Sequence, residues 1–324
     1  MILVLAGGVG AARFLRGLVR VVDPAEITVV VNTGDDTVMH GLNISPDLDT
    51  ITYTMAEAID PERGWGLAGE SWRAMESLAR YEKLRPLNSN AGGTWFNLGD
   101  RDLATHLYRT ARIGEGATLS MVTDEIRSAW EIPLRILPMS DDRVSTMVDI
   151  VESDEQKRTV SFQEYFVRLR HSVPITGVSF VGSSLATPTF LDLVDQAETV
   201  IIAPSNPIVS LGPIRSLPNV DSALRRNRQR VVAISPIVAG AAIKGPADRM
   251  LKELGMSASV TGVASLYCEI ASTLVIDEAD ANQKASVEAT GMHCITTNTI
   301  MSNIEVTTRL AQTVLNSRHH GGQS

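Results

Sequence analysis

The first 31 residues leave this chain few folds to choose from. Ile2 to Ala6 is an unbroken apolar run stopped by Gly7-Gly8-Val9-Gly10, after which Phe14, Leu15, Leu18, Val19 and Val22 recur at helical spacing. Ile27 to Val31 is a second apolar run. Strand, glycine turn, helix and strand make a βαβ unit, which requires parallel strands and a right-handed crossover. Because parallel sheets are covered on both faces, the expected fold class is α/β, a Rossmann-like doubly wound, mostly parallel sheet. Residues 178–181, 200–203, 231–234 and 274–276 read as further strands, and two of them feed proline loops, Pro204-Ser205-Asn206-Pro207 and Ser235-Pro236-Ile237-Val238-Ala239-Gly240.

The remaining patterns elaborate that sheet. Residues 46–58, 70–81, 103–108 and 118–130 are amphipathic at helical spacing, with residues 134–137 restarting β structure. Residues 144–151 and 159–167 alternate around Ser153-Asp154-Glu155-Gln156, which predicts an antiparallel hairpin appended to the sheet. Residues 246–254, 262–271 and 303–316 read as helices, and the tail from 318 to 324 as frayed. The expected organisation over 1–324 is a single Rossmann-like domain with a mainly helical insertion at about 46–130 and a hairpin at about 144–167.

Composition restricts the function classes. A net charge of -8 without a basic stripe argues against nucleic acid or a membrane surface as partner. With the first strand starting at Ile2 and no apolar run of about 18 residues, neither a leader nor a spanning helix is expected, and a cytoplasmic location is. Cys268 and Cys294 lack disulfide or zinc spacing. Any anionic ligand must be held locally, by backbone amides, a few arginines or a metal.

The chemistry concentrates in VVVNTGDDTVMHGLNISPDLDT, residues 29–50, where Asp35, Asp36, Asp47 and Asp49 surround a tight turn. Carboxylates that close repel unless a cation or proton answers them. Turn formation accounts for some of them, and Ser45-Pro46-Asp47 also reads as an N-cap, a first-turn proline and a dipole-favoured acid. In an open parallel sheet ligands collect beyond the carboxyl ends of the strands, which gathers residues 7–10, 32–36, 204–207 and 235–240 at one edge. The glycine loop has no Gly-Lys-Ser/Thr, and Arg13 stands where a dinucleotide fingerprint needs its third glycine. A nucleotide hydrolase and a simple dehydrogenase both lose ground, although bare amides at a helix start still suit a phosphate that Arg13 could reach. Residues 99–106, GDRDLATH, allow a capped helix with His106 at the surface, or Arg101 as a phosphate fork aided by Thr105 or His106.

GGVGAARFLRGL, VNTGDD, HGLNISPDLDT, GDRDLATHL, LPMSDD, FQEYFV, APSNPIVSLGPI and SPIVAG, in that order over residues 1 to about 277, resemble the 2-phospho-L-lactate transferase family of coenzyme F420 biosynthesis. The resemblance implies a Rossmann-like enzyme, usually a homodimer, with small-molecule substrates. It joins the deazaflavin Fo to a guanosine diphosphate conjugate of 2-phospholactate or phosphoenolpyruvate (LPPG or EPPG), uses magnesium and releases GMP. Carried onto this chain, Asp35 and Asp49 are the expected metal ligands, with Asp36 and Asp47 as further ligands or hydroxyl-orienting bases. Gly8, Val9 and Gly10 offer amides to the diphosphate, Ser205 and Asn206 hold guanosine, and Asn32, Thr33 and His40 line the acidic turn. Neutralising Asp35 or Asp49 is expected to abolish transfer with the fold intact. Residues 88–94 look long for the family, and the resemblance weakens after about 277. Arg63-Gly64-Trp65-Gly66 and Trp72 look closer to the phosphoenolpyruvate branch. The competing class is a non-catalytic, sugar-nucleotide-binding regulatory protein of the same fold; such proteins carry a glycine- and serine-rich segment where this chain has HGLNISPDLDT.

Overall fold

The computed structural model describes residues 1–317 except 87, 88, 90, 92, 154, 183, 184 and 188. The long 88–94 segment, the turn at Asp154 and the 318–324 tail therefore lie wholly or partly outside the described residues.

The predicted βαβ unit is β1 (Ile2–Ala6), α1 (Val9–Leu18) and β2 (Ile27–Val31), with both strands fully buried. After β2 the chain makes a small hairpin, β3 (Thr37–Met39) and β4 (Leu42–Ile44). His40 and Gly41 form its two-residue turn, at φ 54° and 78°, the left-handed pair that matches hairpin twist. Four helices follow: α2 (Pro46–Met55), α3 (Arg73–Glu82), α4 (Asp102–Gly114) and α5 (Leu119–Ala129). β5 (Arg135–Pro138) returns beside β2 as the sheet edge, where Pro138 withholds no needed donor.

The sheet later gains β9 (Thr199–Ile202), β10 (Val231–Ile234), β13 (Thr273–Asp277) and β14 (His293–Thr297). Its order is β14-β13-β10-β9-β1-β2-β5, all parallel. Chain order reverses between β1 and β9, so these two strand ends flank the switch point of a Rossmann-like, doubly wound sheet. α1, α2 and α12 (Ile304–Asn316) pack on one face around Phe14, Leu15 and Leu18, each fully buried and each contributing about 1.5–3 kcal/mol of apolar burial. The other face is covered by α6 (Phe190–Gln196), α7 (Leu211–Ser216), α8 (Val220–Arg226), α10 (Val260–Tyr267) and α11 (Lys284–Glu288).

The sequence expectation fails for two strands. Residues 178–181 belong to β8 (Ile175–Val181), which pairs antiparallel with β6 (Ser145–Val151) and not with the parallel sheet. The predicted antiparallel hairpin does form, β6 with β7 (Lys157–Ser161), but with β8 it makes a separate three-stranded sheet and is not added to the main one. ITGVSFV alternates in burial instead of running apolar throughout, the pattern of an antiparallel strand with one wet face. β14 is half polar, HCITT, and offers no apolar run to read. The short hairpin β11 (Ile237–Val238) and β12 (Ala241–Ala242) and the helix α9 (Ala247–Glu253) follow β10 at the same end of the sheet.

Candidate active site

The glycine loop and the Pro204 loop meet at the switch point. The Gly7 amide donates to Ser205 Oγ at 3.2 Å, and a Cβ at Gly10 would overlap the Pro204 carbonyl oxygen, so only glycine lets α1 start this close to β9. Gly8 occupies the N-cap position without a side-chain cap, leaving the first amides of α1 open. Asn206 spends its side-chain oxygen on the Ile208 amide at 2.9 Å, tightening its own loop.

The acidic turn lies against this junction. Asn32, wholly buried, donates to Asp47 Oδ2 at 2.9 Å and accepts from the Gly34 amide at 2.8 Å, fixing the turn that carries Asp35 and Asp36. Asp47 Oδ1 sits above Gly8, where an added Cβ would come within 2.6 Å. Pro46 starts α2 and places Asp47 and Asp49 in its first turn, as the cap reading requires. Ser45, however, gives its hydroxyl to Asp36 Oδ2 at 2.6 Å and caps nothing. Asp35 Oδ1 and Asp36 Oδ1 are buried without a partner among the described residues. Burial, with the charges of Asp47 and Asp36 added, holds the Asp35 carboxyl far above its ordinary range. Burial does the same to Asp36 and pushes Asp47 up to about 6. These oxygens are desolvated and incompletely bonded, a state that a cation would relieve; among the described residues, the ligand atoms that lie within 4.8 Å of one another are those of Asp49, Asp102 and His106.

Asp49 has a different setting. Both its oxygens accept from Arg109 of α4, one of them at 3.2 Å, and both residues are buried. Burial works against the Arg109 charge, but Asp49 and, more weakly, Asp36 and Tyr53 together more than offset it. The network continues through His106, whose Nδ1 lies 3.4 Å from Arg109 Nη1 and whose Nε2 lies 3.3 Å from Asp102 Oδ2. Tyr53 donates to Asp102 Oδ1 at 2.5 Å. Burial alone would raise Asp102, yet bonds from His106 and Tyr53 leave its carboxyl below the usual range. Asp102, His106 and Arg109 share a helix face at i, i+4 and i+7, a polar face turned inward. That spacing is the sequence signal for Arg109, which lies just past the GDRDLATHL motif.

These groups line one cavity of about 650 Å³. Gly8, Val9, Gly10, Arg13, Asp35, Asp47, Asp49, Ser205 and Asn206 reach it, as do His106, Asp102 and Tyr53. Trp65, Trp95, Phe96, Phe162 and Phe166 supply aromatic walls, and residues 299–302 close it from beyond β14, a segment to which the sequence assigned no role. Five expected residues lie elsewhere. Arg101 is exposed and donates to the Ala68 carbonyl at 2.5 Å, so it does not line the cavity; Glu70 accepts from the Arg101 and Asp102 amides and caps α4. His106, which does line the cavity, is buried rather than at the surface. Asn32 and Thr33 stand behind the lining, His40 is a hairpin-turn residue, and Asp36 faces a smaller pocket of about 150 Å³ behind Asp35. Among the described residues no helix is long and apolar enough to cross a membrane.

Comparison with known proteins adds a family likeness. A family model described as 2-phospho-L-lactate transferase CofD matches residues 2–314, well past residue 277 where the motif resemblance fades. The phosphoenolpyruvate transferase of Streptomyces griseus is 40% identical over 317 residues, covering 97% of each chain. Those of Streptomyces avermitilis and Kitasatospora aureofaciens are each 42% identical, covering 97% of this chain and 97% and 96% of theirs. A crystal structure of a upf0052 family member from Bacillus halodurans superposes with a TM-score of 0.59 at 15% identity, over 97% of this chain and 98% of that one. At that identity the likeness is one of fold.

Proposed function

The chain belongs to the 2-phospho-L-lactate transferase family, and from that premise we propose that this transferase joins Fo to the enolpyruvyl-bearing phosphoryl group of EPPG, releasing GMP and giving dehydro-F420-0. The observation that carries the reading is the placement of Asp35, Asp47 and Asp49 in one cavity with the glycine loop and an aromatic wall. The names of relatives 40% and 42% identical favour the phosphoenolpyruvate conjugate over LPPG. On this reading the terminal ribityl hydroxyl of Fo attacks the phosphorus bearing the enolpyruvyl group, the new P–O bond forms, and the bond to the GMP oxygen breaks in line. Catalysis of such a step is mainly positioning and charge neutralisation.

The residues present fit magnesium. Asp35 brings a carboxylate oxygen with no partner among the described residues, and Asp49 is oriented by Arg109 in the way outer groups fix metal-binding carboxylates. When bound, the ion supplies positive charge against the diphosphate. Asp47 accepts the hydroxyl proton; a carboxyl pushed up to about 6 is close to neutrality and suits a base that must also release it. Asp36, tied to Ser45, buttresses the turn. The amides of Gly8, Val9 and Gly10 face the diphosphate, and the Trp65, Trp95 and Phe96 side of the cavity offers apolar area for the planar deazaflavin. Two substrates of this kind, in the cytoplasm and bound by a homodimer, complete the reading.

Calorimetry tests it without turnover. Fo and GDP are expected to bind the magnesium-loaded protein, and UDP-sugars not to; UDP-sugar binding with no affinity for Fo would support the regulatory alternative instead.

A further inference from the structure

Three cationic side chains line the cavity, Arg13, Arg63 and Lys244. Arg63 is answered by Asp60 at 3.0 Å and lies over the rings of Trp65 and Trp72. Among the described residues, Arg13 and Lys244 have no carboxylate within 4.0 Å. They come from opposite sides of the switch point: Arg13 from the second turn of α1, Lys244 from the loop after β12. Lys244 Nζ donates to the Arg63 carbonyl at 3.4 Å. A Cβ at Gly64 would lie 2.8 Å from that Nζ and 3.7 Å from Val9 Cγ1, so Gly64 stands beside both the ammonium and the residue that opens α1. Gly64, at φ 73°, is the residue that lets the two sides approach.

Asp47 Oδ1 stands over Gly8, yet among the described residues neither cation is paired with it. The open amides of α1, the positive end of its dipole, Arg13 and Lys244 converge with nothing negative bonded to either cation, and like charges this close in a cavity wall raise each other's energy. Partial desolvation at the cavity mouth and the neighbouring Arg13 hold the Lys244 ammonium below the usual lysine range. A single phosphate on the α1 amides would engage one arm; a second phosphate is needed to meet a cation approaching from the other side.

We propose that Arg13 and Lys244 are the two arms of a diphosphate clamp closed over the amino end of α1, and that Lys244 is the residue by which the cavity prefers a nucleoside diphosphate to the corresponding monophosphate. The guanosine identity of that nucleotide rests on the function proposed above; the clamp does not. In the transfer reaction such a preference has a use. The conjugate arrives with its diphosphate intact and GMP leaves with one phosphate, so the grip of Lys244 weakens as the product forms.

Calorimetry with magnesium present, on wild type, Lys244→Met and Lys244→Arg, uses GDP, GMP and inorganic pyrophosphate as probes. Lys244→Met is expected to weaken GDP and pyrophosphate by about tenfold or more while changing GMP by less than about threefold, the worth of one charge-assisted contact. Lys244→Arg, which keeps the charge, should hold GDP within about threefold of wild type. Lys244 is exposed, so melting temperatures are expected to coincide and to exclude unfolding as the cause. Equal weakening of GDP and GMP, unchanged GDP binding in Lys244→Met, or a wild type that binds neither GDP nor pyrophosphate would each overturn the clamp. ADP and UDP run alongside separate the two claims: the same Lys244 dependence for all three diphosphates, with no conversion of Fo, would uphold the clamp and sink the transfer.

Discussion

Asp35→Asn is expected to lower turnover by about a thousandfold or more, the scale for losing a principal charge-stabilising group, while making the ligand-free protein more stable at neutral pH. Both effects have one origin. Asp35 is 7% exposed, its Oδ1 has no partner among the described residues, and Asp47 and Asp36 repel its charge. Ionising it in the folded state is unfavourable unless a cation arrives, and a functional site that stores such strain gains stability when the strain is removed. The sign with pH follows from linkage. A carboxyl whose folded pKa lies above 3.8 binds its proton more readily folded than unfolded. Its favourable contribution is complete below 3.8 and is lost as pH rises through the raised value. The melting temperature of Asp35→Asn should therefore match wild type in acid and exceed it increasingly toward neutrality. Unchanged turnover would end the metal assignment, and a mutant less stable than wild type at every pH would contradict the strain.

The second large effect concerns stability. Arg109→Leu should destabilise the protein by about 3–5 kcal/mol, because it leaves Asp49 buried without its cation. The geometry revises the sequence expectation for Asp49→Asn: removing that charge strands a guanidinium that is 2% exposed, so the fold is not expected to be untouched. Denaturant unfolding of both single mutants and of Arg109→Leu/Asp49→Leu checks this. The double mutant should recover much of the loss, since an apolar pair of similar volume removes both buried charges. Additive losses would mean that the two side chains act independently.

The sheet was legible where burial writes itself as an apolar run: ILVLA, ITVVV and VVAI are strands in place and direction. It was illegible where the pattern carries other information. ITGVSFV looks apolar but alternates, and belongs to the antiparallel sheet; HCITT is too polar to stand out. The acidic turn was readable because four aspartates within fifteen residues demand explanation. What they meet was not. Arg109 lies 60 residues beyond Asp49; its spacing with Asp102 and His106 marks an inward polar face, but no local spacing names a partner so remote. Arg101 marks the opposite error, a motif neighbour whose side chain turns to the Ala68 carbonyl and away from the cavity.

The central claim is tested most directly by incubating the protein with Fo, magnesium and, in separate reactions, the guanosine diphosphate conjugates of phosphoenolpyruvate, 2-phospholactate and phosphoglycerate, and identifying the products by mass. The predicted result is the mass of dehydro-F420-0 from the phosphoenolpyruvate conjugate, with GMP released in equal amount and little product from the other two. Preferential use of either other conjugate would contradict the choice of acid, and no conversion of Fo with any of the three would contradict the transfer itself.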